Sequence, residues 1–112
     1  MTTPRLNRRL LLEAPQRLSD GAGGYVETWQ ALGTVWAQIT PRSGRETAQP
    51  IAAMSKMSYR ILVRGAPVGD AQRPAPDQRF REGERLFTIQ AVAENDANGR
   101  FLTCFATEEV AV

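Results

Sequence analysis

Glycines 21, 23 and 24 lie in the stretch Asp20-Gly21-Ala22-Gly23-Gly24, and a glycine-dense turn can aim its backbone amides at a phosphate. That chemistry needs a GK[ST] continuation and a helix opening behind the loop; Tyr25-Val26-Glu27-Thr28-Trp29 supplies neither. A turn between strands is the better reading. Ser43, Ser55 and Ser58 offer hydroxyl nucleophiles, but the chain has no histidine to activate them, which leaves Lys56 as the one base for a serine–lysine arrangement. The adjacent carboxylates Glu108 and Glu109 would need a defined separation across a cleft for acid–base work, which sequence spacing does not supply, and solvated surface is the better reading. Cys104 is the only cysteine, so no internal disulfide forms and no zinc site assembles around it. Between Thr103 and Phe105 it reads as a small buried hydrophobe. No pattern calls for a cofactor or a metal, and an enzyme is the least supported class.

Aromatic side chains could instead stack bases, as in single-strand binders with an OB-like barrel. Tyr25, Trp29, Trp36, Phe87 and Phe101 fall at strand spacing, where aromatic rings usually supply the core, so all five are expected inside. On that reading Trp36→Ala costs about 3–5 kcal/mol. Thirteen arginines and Lys56 are nearly balanced by twelve acidic residues, leaving a net charge of +2. The arginines are scattered and often adjoin an acid, as in Arg45-Glu46 and Arg81-Glu82, which favours a solvated or subunit-facing surface over a nucleic-acid patch.

These residues must be positioned by strands. With 112 residues the chain has the length of one modest domain, 1–112, enough for a single small core. No apolar run approaches the roughly 20 residues of a membrane span, and Met1 to Asn7 lacks the features of a secretory signal, so an intracellular, soluble protein is expected. Arg9 to Ala14 is a first strand ending at Pro15, followed by the glycine turn. Tyr25 to Leu32 and Val35 to Thr40 are the second and third, joined at Gly33, and Pro41 stops the pattern. Residues 42 to 56 form a long loop, with a single helical turn at most because Pro50 interrupts it. Met57 to Arg64 alternates clearly: Tyr59, Ile61 and Val63 face one side, and Ser58, Arg60 and Arg64 the other, with Leu62 as the exception. Gly65 to Asp77 is an exposed connection rich in glycine and proline. Glu84 to Val92 and Phe101 to Thr107 complete the set, linked by a tight turn at Asn98-Gly99, with Glu108 to Val112 as a tail or edge. The expected fold is all-β, a small β-barrel or sandwich of about six strands with the long loop between the third and fourth.

Leu6-Asn7-Arg8-Arg9-Leu10-Leu11-Leu12-Glu13, Asp20 to Trp29, Val35-Trp36-Ala37 and Ser43-Gly44-Arg45-Glu46 occur in that order, followed by Tyr59-Arg60-Ile61-Leu62-Val63-Arg64. Arg79-Phe80, Gly83-Glu84-Arg85-Leu86-Phe87-Thr88-Ile89 and the Val92 to Leu102 hairpin continue the series. In order and spacing, over almost the whole chain, this resembles the phage head-tail joining proteins: head-closure or stopper proteins of tailed phages, prophages and gene transfer agents.

The resemblance implies a β-barrel subunit of a homo-oligomeric, dodecameric ring in the neck of a phage-like particle assembled in the bacterial cytoplasm. Its partners are the portal and adaptor ring on one side and a tail-proximal protein on the other, with transient contact to packaged double-stranded DNA. The segment containing Arg42, Ser43, Gly44, Arg45, Glu46 and Lys56 resembles the loop that points into the channel and gates it. A ring subunit must present two different surfaces to its neighbours, and the outward residues Arg60, Arg64 and Glu84 are candidates for partner contacts. A tail terminator is the alternative within assembly; a helical adaptor does not suit the strand pattern.

Overall fold

The computed structural model describes residues 4–42 and 54–111. Six antiparallel strands, β1 (Arg8–Ser19), β2 (Tyr25–Pro41), β3 (Met54–Arg64), β4 (Arg79–Glu82), β5 (Arg85–Glu94) and β6 (Phe101–Ala111), close into a barrel in the order β1-β2-β3-β6-β5-β4. No helix occurs among the described residues.

Period-two alternation builds the interior. Leu10 and Leu12, Ile61 and Val63, Phe87 and Ile89, and Leu102, Cys104 and Ala106 point inward from their strands and pack with Ala37 and Phe80 into one cluster. The inward rows of five strands then end in polar side chains at the same end of the barrel: Arg8, Tyr59, Glu82, Arg85 and Glu108. They satisfy one another. Arg85 grips Glu108 with two hydrogen bonds of 2.8 and 3.0 Å, the Tyr59 hydroxyl donates to Glu108 at 3.1 Å, and Arg8 Nε donates to Glu82 at 2.7 Å. The Tyr59 ring stands edge-on to Phe87 at 5.3 Å, joining this polar plug to the apolar interior.

The element count meets expectation by a different division of the chain. The two strands expected on either side of Gly33 are one strand, β2, because a β-bulge rather than a turn lies there: Leu12 pairs with Gly33 and Glu13 with Ala31, leaving Leu32 as the extra residue. Gly33 takes φ = 149°, which side chains avoid, so its glycine signals a bulge. The sixth strand is β4, whose four residues are too short to show a period. Glu84 sits in the β4–β5 turn instead of opening β5, and Glu108 to Ala111 extend β6 against Met54 to Met57. Residues 95 to 100 form a loop wider than a two-residue turn, organised by the Asp96 carboxylate, which accepts from the Arg100 amide at 2.9 Å; Gly99 alone has positive φ there.

Strands β1 and β2 outrun the barrel. β1 meets β4 only from Leu11 to Glu13, and β2 meets β3 only from Ala37 to Pro41, so Ala14–Ser19 and Tyr25–Ala31 pair with each other alone. This two-stranded ribbon projects from the barrel. The radius of gyration, 15.5 Å, accordingly exceeds the roughly 13 Å of a compact chain of this length.

Candidate functional site

The glycine turn at the ribbon tip is occupied by its own carboxylate. Asp20 Oδ1 accepts from the amides of Ala22 at 2.8 Å and Gly24 at 3.0 Å, and those two bonds hold the Asp20 carboxyl below its ordinary range. The amides that a phosphate would require are already engaged, and a negative charge stands in their place. Burial pushes the Cys104 thiol up to about 12, with Arg73 only partly opposing, so it stays protonated and unreactive. Lys56 is exposed on β3 with Glu109 3.9 Å away, and among the described residues no group of three or more potential metal ligands converges. Chemistry gives way to surfaces.

Two ion-pair systems shape those surfaces. At the polar end of the barrel, Arg85 holds the Glu108 carboxyl low, chiefly through its hydrogen bonds, while Arg8 does the same for Glu82. The reading of Glu108 and Glu109 as solvated surface is therefore half right: Glu109 is exposed, but Glu108 is buried. At the root of the ribbon, Arg79 Nε donates to the buried Glu13 at 2.6 Å while its guanidinium lies 3.9 Å over the Trp29 ring. Pairs like these need strands that are distant in sequence, so no spacing rule along the chain could have found them.

The aromatic residues divide in a way the sequence did not show. Phe87 is wholly buried and Trp29 and Phe101 are half-buried, but Tyr25 is 67% and Trp36 54% exposed, correcting the expectation that all five fill the core. The reason is strand parity: Ala37 points inward, so Trp36 beside it must point outward. Cross-strand pairing sets Arg9 opposite Trp36 and Arg64 opposite Phe101, making an outer row that alternates arginine with aromatic rings. Pro4, Leu6, Trp36, Arg64 and Phe101 line a groove of about 340 Å³. A second groove of about 320 Å³ borders the other side of Trp36, lined by Thr34, Val35, Arg64, Gly65, Ala66 and Gln72.

Arg60, Arg64 and Glu84 are all exposed. Arg60 and Arg64 share the outer face of β3, whereas Glu84, in the β4–β5 turn, lies across the barrel from them because β4 is three strands removed from β3 in the closed order. The structure thus joins the first two and separates the third. Arg42 is exposed and stacks 5.2 Å over Phe105 on the outer surface, with its amide bonded to the Ser58 carbonyl. Ser43, Gly44, Arg45 and Glu46 lie outside the described residues.

This architecture, a closed six-stranded barrel with no catalytic cluster among its described residues, coincides with a sequence match. The profile of the phage head completion protein family aligns with residues 1–109. The chain belongs to the phage head completion protein family. Membership makes its role structural, in completing the head and joining it to the tail, and such a role entails association with other head and tail proteins. A solved chain from the virion of a native gene transfer agent (GTA) particle is 54% identical; the match covers 98% of this chain and 100% of that one, with a TM-score of 0.84. A Shigella flexneri 2a protein solved in solution shares the fold at 22% identity and a TM-score of 0.68, with 96% of each chain covered. No curated protein matches this family member. No helix among its described residues is long and apolar enough to cross a membrane.

Proposed function

We propose that this head completion protein acts as one barrel unit over residues 1–112, assembling as a dodecameric ring between the portal and adaptor ring and a tail-proximal protein. The observation that carries this reading is the end-to-end likeness, at 54% identity, to a chain of a gene transfer agent virion. The phage head-tail joining proteins that the chain resembles form a ring in the neck of the particle, and a non-enzymatic ring subunit suits that place. Because β1 to β6 close on themselves, the barrel has no open sheet edge, and neighbours are met through side-chain faces and the ribbon.

In this proposal residues 42 to 53, which connect β2 to β3, gate the channel, with Arg42, Ser43, Gly44, Arg45 and Glu46 as the lining set; Lys56, expected in the same loop, belongs instead to β3, where it pairs with Glu109 of β6. Double-stranded DNA must pass without adhering, so few cations suit such a lining. Arg42 meets that need by stacking on Phe105. Arg60, Arg64 and Glu84 serve as contacts to partners. Deleting 43 to 53, which spares the paired residues of β3, is expected to leave a folded chain that still joins particles, while the particles lose packaged DNA. Particles with the shortened chain that hold DNA as well as unaltered ones would refute the gate.

A further inference from the structure

We propose that the β1–β2 ribbon of one copy docks its Leu18–Val26 face beside Trp36 of a neighbouring copy, making the head-to-tail contact of the ring. This deepens the ring reading above and rests on it. Leu18 and Val26 are cross-strand partners near the tip, 47% and 50% exposed, with Gln16 and Thr28 as the next pair on the same face. Two apolar side chains held together in water at the end of a ribbon with no other packing are an unmatched surface. Trp36 between its two grooves is another.

The two surfaces cannot meet within one chain. Val26 and Trp36 lie ten residues apart on the same extended strand, roughly 33 Å at strand rise, so only a second copy can bring a tip to this indole. Their charges also match. Arg17 and its cross-strand partner Glu27 lie on the face opposite Leu18 and Val26, with Arg17 drawn over the Tyr25 ring at 5.3 Å, so the charge presented at the docking end is that of Asp20 in the tip turn. The grooves bear Arg64, with Arg9 paired across from Trp36, and no carboxylate is among their lining residues. A tip and a groove on different parts of the same surface form a heterologous contact, which closes into a ring when the rotation permits.

The experiment uses particles carrying the Val26→Cys/Ala66→Cys chain, Ala66 being on the groove rim; the native Cys104 is buried and does not compete. Mild oxidation is expected to yield covalent multimers beyond the dimer on a non-reducing gel. Particles that contain this chain at the unaltered copy number but release only monomer would overturn the docking, while leaving the ring intact. The ring reading fails separately, if averaged images of unaltered particles show no ring of this chain at the neck. Val26→Asp approaches the contact from the other side: it is expected to keep the unaltered melting temperature and lower incorporation into particles at least tenfold. Undiminished incorporation would also overturn the docking.

Discussion

β2 is one strand with two environments, and Gly33 lies near the boundary. At Ala37, β2 has β1 on one side and β3 on the other, and Ala37 is completely buried; on the ribbon side, Tyr25 to Ala31 have β1 alone, and no side chain is fully buried. The residue types are similar in both halves. What differs is the number of neighbours a strand has, which decides whether alternation creates an interior. Within the ribbon, order comes from local devices: the Asp20 carboxylate in the turn, Arg17 over Tyr25, and Arg79 clamped between Glu13 and Trp29. Within the barrel it comes from burial, closed at one end by the Arg8, Tyr59, Glu82, Arg85 and Glu108 plug.

Substitutions can break this contrast, beginning with the barrel. Phe87→Ala removes a wholly buried ring from the barrel interior and is expected to cost about 3–5 kcal/mol in a denaturant titration; a value typical of surface positions would show that the interior is not packed as described. Glu108→Ala leaves the Arg85 and Tyr59 donors without their acceptor and is expected to cost about 1–3 kcal/mol by the same measurement.

The same plug predicts a pH response. Glu108 and Glu82 are held below the ordinary 4.5 when folded, so in acid the unfolded chain binds protons that the folded one does not. Stability should therefore stay level above about 4.5 and fall as the pH drops below it through the depressed folded values. The melting temperature of Glu108→Ala should vary less with pH across that window than that of the unaltered protein. An equal dependence would remove Glu108 from the account.

At the boundary, Gly33→Ala forces a side chain into φ = 149° with its Cβ 3.0 Å from the Gln72 amide, and about 1–3 kcal/mol is expected. An unchanged melting temperature would mean that the bulge relocates along β2. The smallest effect should come from Trp36→Ala. At an exposed site the expected change in stability lies within about 0.5 kcal/mol, in contrast to the several kcal/mol that a core tryptophan would lose. A large loss would return Trp36 to the interior.

How much of this was legible beforehand varies with the range of the interaction involved. The alternation of Tyr59, Ile61 and Val63, the inward Phe87 and Ile89, the buried Cys104 and the Asp20 to Gly24 turn were visible because period two and turn chemistry involve neighbours in sequence. Gly33 is ambiguous in sequence because glycine marks both turns and bulges, and only the pairing partner distinguishes them. β4, at four residues, is too short to show a period, and hydrophobicity alone draws Trp36 inside whereas its parity with the inward Ala37 turns it out.

By itself, the order of residues determined the strand-rich class, the absence of histidine chemistry, the polar turns and, through the ordered segments, the family. Those are properties of local pattern and composition. Closure of the sheet alone decided the rest: which rows face inward, how Arg8, Glu82, Arg85 and Glu108 find one another, and which aromatic rings remain outside. Each depends on strands distant in the chain lying side by side, and such adjacency exists only after the barrel has formed.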